Sequence, residues 1–168
     1  MAVARAYEQS RGATLYESAR GYDNTLRATL TELGCEVPRP PSADLISTGA
    51  DGIRIIEVKS RGGYGDVANV PERELETMRA AGSHSWLYVV YNTTQRGNYE
   101  LWLVQDPGHA LAWTCTAEAE RPPGAYRGVR HEGRFATTMR AVDETGVRVD
   151  LTLLGGLPDK PEHAPPPA

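Results

Sequence analysis

The residues whose types and spacing best suit catalysis form one short run, Glu57-Val58-Lys59, in which an acid and a base flank a single valine. Residues 53–56 before it are mainly apolar and β-branched, and a run of that kind favours a β-strand. Successive side chains of a strand point to opposite faces, so Glu57 and Lys59 are expected on the same face. The sequence therefore predicts a carboxylate beside an ammonium near a strand end, just before the glycine-rich residues 61–65.

A second acid, Asp44, lies upstream and is followed by the apolar residues Leu45 and Ile46, which predict a short strand. Residues 48–52 have the composition of a turn, so the two strands are expected to form a hairpin. Antiparallel pairing in that hairpin would bring Asp44 near Glu57. Two carboxylates and a lysine are thus predicted to share one small site.

The chemistry suited to this trio is metal-assisted hydrolysis of a phosphodiester. Mg²⁺ prefers oxygen ligands in near-octahedral geometry and keeps several waters, so Asp44 and Glu57 are predicted metal ligands, with the backbone carbonyl of Val58 as a third. Lys59 would orient the attacking water or stabilise the developing charge. The predicted cofactor is Mg²⁺, with Mn²⁺ as an alternative, and the predicted catalytic residues are Asp44, Glu57 and Lys59.

Asp44 followed by Glu57-Val58-Lys59 resembles the PD-(D/E)XK signature of restriction-endonuclease-like nucleases. The pattern is closest to one branch, the C-terminal domain family of the protein NO VEIN, which also occurs at the ends of bacterial helicase-like proteins in restriction and phage-defence loci. The corresponding pieces here are Asp44 and residues 56–59, 73–75, 86–92 and 105–107. The resemblance covers about residues 40–113.

The resemblance implies an α/β fold with a restriction-endonuclease-like αβββαβ core, in which helices flank a central mixed sheet. It also implies an endonuclease acting on DNA, with RNA left open, inside a restriction or phage-defence system. A helicase or another defence-complex subunit is the implied partner. A homodimer is plausible because cleavage of a duplex needs two cuts.

Four further residues are candidate accessory residues: Glu17, Glu74, Arg61 and Arg73. In this superfamily a helix before the first acid often carries a glutamate that faces the site, and Glu17 or Glu8 would fill that role, although a surface glutamate is commoner. Glu74 is the acid of the helix after the motif. The arginines would meet phosphates, although a solvated charged face is the commoner explanation of such charges.

The basic residues are sixteen arginines and two lysines, Lys59 and Lys160. A GC-rich genome is sufficient to explain this bias, yet a lysine is kept in the motif, where a compact ammonium and a planar guanidinium are not interchangeable. The net charge of −4 is unlike that of a free-standing nucleic-acid binder, which normally has a basic patch.

The chain has no apolar run near the ~18 to 20 residues of a membrane span and no signal-like amino terminus, so a cytoplasmic protein without membrane contact is expected. Its two cysteines, Cys35 and Cys115, have no neighbouring Cys or His and are expected to be small buried apolar residues.

Length and composition predict one domain over residues 1–156, with a core at about 14–113, an extension at about 114–156 and a disordered proline-rich tail at 157–168. Periodicity predicts the elements. Helices are predicted over 1–11, 14–33 and 71–81; strands over 85–91, 99–104 and 113–116; and a C-terminal β-hairpin from 134–142 and 147–154.

Two other functions fit the same residues. The first is a catalytically silent domain that binds nucleic acid while another subunit performs catalysis. The second is a protein-docking domain of a larger helicase-like defence protein, in which Trp86, Trp102 and Trp113 partly serve a partner surface, although aromatic residues at strand spacing usually belong to a core.

Overall fold

The structure is a computed structural model of the chain, and it describes residues 1–17, 22–36, 40–62, 68–94, 99–117 and 133–151. Its elements are α1 (Ala2–Ser10), β1 (Thr14–Glu17), α2 (Tyr22–Glu32), β2 (Leu45–Gly49), β3 (Gly52–Ser60), β4 (Ala68–Pro71), α3 (Glu72–Ala81), β5 (Ser85–Tyr91), β6 (Glu100–Gln105), α4 (Pro107–Ala110), β7 (Thr114–Ala117), β8 (Arg134–Thr137), α5 (Met139–Thr145) and β9 (Val147–Val149). The predicted mixed α/β class is confirmed.

A mixed sheet of six strands, in the order β1-β2-β3-β5-β6-β9, forms the centre of the fold. Its neighbours are antiparallel except β3 and β5, which run parallel. A parallel pair needs a crossover connection, and the chain between β3 and β5 supplies it with α3. The strand that carries the Glu-Val-Lys run is therefore interior to the sheet and directly followed by the crossover.

The hairpin of β2 and β3 forms as predicted, with pairing from Leu45 opposite Ile56 to Gly49 opposite Gly52. Only residues 50–51 connect the two strands. Gly52 has φ of +97°, a conformation that residues with a Cβ rarely adopt, so glycine suits the end of this turn. The tight connection fixes the register of the hairpin, and the register decides which residues of β2 and β3 meet.

Helices cover both faces of the sheet. On one face, Val3 and Ala4 of α1 pack against a cluster that includes Ile56 and Tyr88. On the other face, α3 packs against Leu87, Val89, Tyr91 and Val104 through Leu75 and Met78. The α2 residues Leu26 and Leu30 pack against Ile46 and Ile55 on this second face. Glu57 alternates with Ile56 along β3, so its side chain lies on the α3 side.

A buried polar network joins α1 to the face of the sheet that α1 covers, opposite to the α3 face. Glu8 is fully buried and accepts hydrogen bonds from Ser47 Oγ at 2.6 Å and from the Tyr88 hydroxyl. Arg11 and Arg54 supply its cationic partners, at 2.6 Å and 3.4 Å. Glu8 therefore does not face the Glu57 side of the sheet, and its sequence-based candidacy for the catalytic site is wrong.

Replacing Glu8 with alanine is expected to lower the free energy of unfolding by about 3–5 kcal/mol, because the Ser47 and Tyr88 hydroxyls lose their buried acceptor and Arg54 keeps only Asp51 as a carboxylate partner. Tyr88→Phe is the milder comparison and is expected to cost about 1 kcal/mol, because it removes one hydroxyl from the same network. Urea unfolding followed by circular dichroism measures both. Equal costs for the two variants would contradict the assignment of Glu8 as the charge that holds the network.

The predicted helix over residues 14–33 is wrong in its first part. Thr14–Glu17 is instead an edge strand, β1, paired with β2 from Thr14 opposite Thr48 to Glu17 opposite Leu45. Its β-branched, apolar and aromatic residues fit a strand, and pairing with β2 outweighs the helical spacing of the leucines. The helix itself, α2, begins at Tyr22.

The predicted C-terminal hairpin is also wrong. β8 belongs to a separate three-stranded sheet, β4-β8-β7, whereas β9 pairs with β6 at the edge of the large sheet. Between them lies α5, where Thr138 caps the helix by accepting a hydrogen bond from the Ala141 amide at 3.2 Å and Val142 is buried. Residues 152–154 of the predicted strand and the tail at 157–168 lie outside the described residues.

The other predicted elements are found close to their expected positions: the amino-terminal helix, α3, β5, β6 and β7. The short elements β4 and α4 were not predicted. Cys35 is half-buried and packs against a core cluster, whereas Cys115 is exposed, so the predicted burial of Cys115 is wrong. Within the described ranges, no helix is both long and apolar enough to span a membrane.

Candidate metal centre between β3 and α3

Glu57 and Lys59 lie side by side on the face of β3 that is covered by α3. The Lys59 ammonium donates to Glu57 Oε1 at 2.5 Å and to Glu74 Oε2, on α3, at 2.7 Å. The side chains of Glu57, Lys59 and Glu74 are 5%, 15% and 12% exposed, so the cluster is largely shielded but not sealed from solvent. Glu74, carried over from the family pattern, is thus brought into contact with the motif lysine.

Asp44 lies just before β2, whose first residue, Leu45, pairs with Ile56 of β3. Its Oδ2 accepts a hydrogen bond from the Val58 amide at 2.8 Å, and its own amide donates to the Ile56 carbonyl at 2.9 Å. Asp44 is therefore held against the β3 backbone on both sides of Glu57. This is the neighbourhood that the hairpin predicts.

The Val58 carbonyl has a favourable direction for the role suggested by the sequence. The N–H and C=O of one strand residue point to the same side of the strand. Because the Val58 N–H meets Asp44, the Val58 carbonyl is directed to the same side. One carboxylate and one backbone oxygen can therefore approach a common position beside Glu57.

The electrostatics of the cluster are those of crowded acids. Burial raises the pKa of Glu57, repulsion from Glu74 and Asp44 raises it further, and attraction to Lys59 only partly opposes them. Burial lowers the pKa of Lys59, but the carboxylates of Glu57 and Glu74 outweigh burial, so this pKa lies above its usual range. Glu57 and Glu74 contact the Lys59 ammonium, and Asp44, which attracts the amino terminus of Met1, lies close enough to repel Glu57. A divalent cation would reduce the repulsion among these carboxylates.

The donor atoms suit a hard divalent cation. No hydrogen bond from a described residue reaches Asp44 Oδ1 or Glu57 Oε2, so each carboxylate keeps one oxygen for a ligand. Two carboxylates, one backbone carbonyl and several waters make a Mg²⁺ coordination sphere of the usual kind. In the part of the chain that the structure describes, no three His, Cys, Asp or Glu side chains form a ready-made metal cluster, so water would have to complete the sphere.

The three remaining candidate residues belong to different parts of the fold. Arg61 follows β3 directly, and its guanidinium donates to the Ser60 carbonyl at 2.8 Å. Arg73 is exposed in the first turn of α3, next to Glu74. Glu17 is the last residue of β1 and pairs with Leu45, so it lies on a strand and not on a helix; its side chain is outside the described residues.

Thr77 is a contact that sequence reasoning missed. It is buried in α3, donates its hydroxyl to the Arg73 carbonyl at 2.8 Å and accepts from the Ser42 amide at 3.0 Å. It therefore ties α3 to the segment that leads into Asp44. The available signal was a threonine between Leu75 and Met78, where a helical hydroxyl usually bonds back to the preceding turn.

Thr77→Val is expected to lower the free energy of unfolding by about 1–3 kcal/mol, because it keeps the side-chain shape but leaves the Ser42 amide without this acceptor. Thr77→Ser keeps the hydroxyl and is expected to cost less. Thermal unfolding of both variants, monitored by calorimetry, makes the comparison. A valine variant as stable as the serine variant would rule out a tie between α3 and Ser42 through this hydroxyl.

Comparison with known proteins gives one match. No curated protein and no solved structure matches the chain. The family model described as "Protein NO VEIN, C-terminal" matches residues 1–104, which include α1, β1 and α2 as well as Asp44, Glu57, Lys59 and Glu74. The match begins earlier than the predicted span of 40–113 and ends within β6. The chain therefore belongs to the NO VEIN C-terminal domain family.

Proposed function

We propose that this chain is a metal-dependent nuclease domain that hydrolyses phosphodiester bonds of DNA. Asp44, Glu57 and the Val58 carbonyl hold Mg²⁺, or Mn²⁺ in its place, and Lys59 acts beside them. The observation that supports this most is that the Asp44 side chain accepts a hydrogen bond from the amide of Val58, the residue between Glu57 and Lys59 on β3.

A cation bound at this position would polarise a phosphoryl oxygen and favour ionisation of a bound water. Lys59 carries up to three donors on a compact charge, which suits it to hold the attacking water or a non-bridging phosphate oxygen. Asp44 lies just before β2 and Glu57 lies on β3, and the short hairpin between these strands restricts the distance between the two residues. The chain would thus supply fixed orientation and fixed charge. Positioning and electrostatic stabilisation account for most of the rate enhancement in phosphoryl transfer.

The substrate is proposed from the family and from charge. Domains of this family occur with helicase-like proteins in restriction and phage-defence loci, so a DNA strand delivered by such a partner is the proposed substrate. The chain has a net charge of −4, and this fits a module that relies on its partner for most of the phosphate binding. Arg61, directly after β3, and Arg73, in the first turn of α3, would contact the strand near the scissile bond.

A catalytically silent docking or nucleic-acid-binding domain is the second candidate. The observation in its favour is that Lys59 pairs with both Glu57 and Glu74, which partly neutralises the cluster without any ion. Under this alternative the cluster is an ion-pair network that stabilises the junction of β3 and α3, and Mg²⁺ has no effect on it.

Asp44→Asn separates the two candidates. Asparagine still accepts a hydrogen bond from the Val58 amide but removes the charge, so Mg²⁺ affinity and plasmid cleavage are both expected to fall by about 10- to 100-fold. Calorimetric titration with MgCl₂ and cleavage of supercoiled plasmid are the measurements. Asp51→Asn, at the turn end of the same hairpin, is the matched control and should retain both properties. Equal Mg²⁺ binding by wild type and Asp44→Asn would contradict the proposal.

A further inference from the structure

The ammonium of Lys59 has two carboxylate partners that come from different elements of the fold. Glu57 is two residues away on β3, and Glu74 belongs to the first turn of α3. Both contacts are short, at 2.5 Å and 2.7 Å, and all three side chains are largely buried. A lysine of this kind would need only one partner for charge balance, so the second carboxylate calls for a physical reason.

The two partners differ in what a bound cation would do to them. Glu57 is the proposed metal ligand, and a Mg²⁺ ion about 2 Å from its oxygen would repel the Lys59 ammonium that shares the carboxylate. Glu74 is not a metal ligand in the proposed site. When the cation is bound, Glu74 is therefore the partner that retains full attraction for Lys59.

We propose that Glu74 is a positioning residue that keeps the Lys59 ammonium at the site when a divalent cation takes over the Glu57 carboxylate. This inference rests on the proposed function, and it assigns a role that neither the motif nor the family match specifies. Without Glu74, the flexible lysine side chain would move to solvent once the cation weakens its pair with Glu57.

The setting of α3 supports this role. Glu74 lies between the β4–α3 junction and the buried residues Leu75 and Met78, which pack the helix on the sheet. Thr77, one turn further on, holds the Ser42 amide and thereby the approach to Asp44. One rigid helix thus fixes both the lysine partner and the segment that carries the first acid.

The lysine content of the chain permits a direct test. Lysine labelled with ¹³C and ¹⁵N gives side-chain signals from only two residues, Lys59 and Lys160, and Lys160→Arg identifies them. In the wild type, saturation with MgCl₂ should shift the Lys59 signal while its side chain stays ordered. In Glu74→Gln, the same MgCl₂ concentration should make the Lys59 side chain mobile, with a side-chain order parameter below about 0.6. Glu74→Ala is a second variant, because alanine is well tolerated in a helix.

A matched control is Glu72→Gln, which removes a carboxylate from the same helical turn and leaves the Lys59–Glu74 pair in place. The kinetic counterpart is cleavage of plasmid DNA at saturating MgCl₂: Glu74→Gln should lower kcat about 10- to 100-fold without changing KM, and its Mg²⁺ affinity should fall less than that of Asp44→Asn. In a Lys59→Ala background the same substitution should cause no further loss, because Glu74 acts only through the lysine.

The inference is overturned if Lys59 stays ordered in Glu74→Gln at saturating MgCl₂, or if Glu74→Gln lowers Mg²⁺ affinity as much as Asp44→Asn does and therefore behaves as a ligand. An additive loss in the double variant overturns it as well. Failure of the proposed function is distinguishable from these results: MgCl₂ would then leave the Lys59 signal of the wild type unchanged, and both ideas would fall together.

Discussion

Lys59→Ala should lower Mg²⁺-dependent cleavage of plasmid DNA by at least ~100-fold, the usual cost of removing one preorganised donor from a developing charge. Lys59→Arg should not restore the rate, because a planar guanidinium cannot replace the compact ammonium between Glu57 and Glu74. Single-turnover rates at saturating MgCl₂ isolate the chemical step. Mg²⁺ affinity should be kept or raised in both variants, because Lys59 competes with the cation for Glu57.

Lys160→Ala is the matched control, since Lys160 is the second of the two lysines and lies outside the family match. It should cleave at the wild-type rate. Undiminished cleavage by Lys59→Ala would exclude Lys59 from the chemistry, whatever its contacts in the resting site.

Glu57→Gln should abolish calorimetric binding of Mg²⁺ and, in the absence of metal, make the protein more stable at neutral and alkaline pH. The carboxyl of Glu57 has a pKa above its ordinary value because of burial and of the acids nearby. The folded state therefore binds its proton more tightly than the unfolded state. Stability of the wild type falls as the pH rises above the ordinary glutamate pKa of about 4.3, and a neutral amide avoids this loss.

The size of the gain is expected to be about 1 kcal/mol or more, which is a rise in Tm of roughly 2–4 °C for a chain of this length. Differential scanning calorimetry in EDTA should give a larger gain at pH 8 than at pH 4, where the wild-type carboxyl is already protonated. Glu36→Gln, at an exposed position outside the cluster, should give no such pH-dependent gain. A Glu57→Gln variant that is less stable than wild type at pH 8 would show that the Lys59 pair outweighs the burial of the charge.

The geometry of the candidate centre was predictable because each of its pairings is local. Alternation along one strand sets Glu57 beside Lys59, and a hairpin with a two-residue connection sets Asp44 against the Val58 amide between them. Neither step depends on tertiary packing. The contact of Lys59 with Glu74 needs the packing of α3 on the sheet, so the sequence supplied the residue but not its partner.

The sequence-based predictions that were wrong share a different cause: the structure of those segments depends on residues far away in the sequence. Residues 14–17 form a strand only because β2, some thirty residues later, offers an edge for pairing. Val70 and Phe135 pair in the small sheet although more than sixty residues separate them, and no local sequence pattern predicts that pairing. The Glu8 network likewise joins α1 to β2, β3 and β5, and no local pattern predicts a buried glutamate with partners so far along the chain.

The most direct test of the central idea is paramagnetic line broadening by Mn²⁺ in the ¹⁵N spectrum of the wild-type chain. Substoichiometric MnCl₂ should first broaden the amide signals of Asp44, Glu57, Val58 and Lys59, which converge at one point. Signals near Glu8, on the opposite face of the sheet, should broaden later. Uniform broadening, or broadening centred on other acidic residues with these four signals intact, would contradict a metal centre at the junction of β3 and α3.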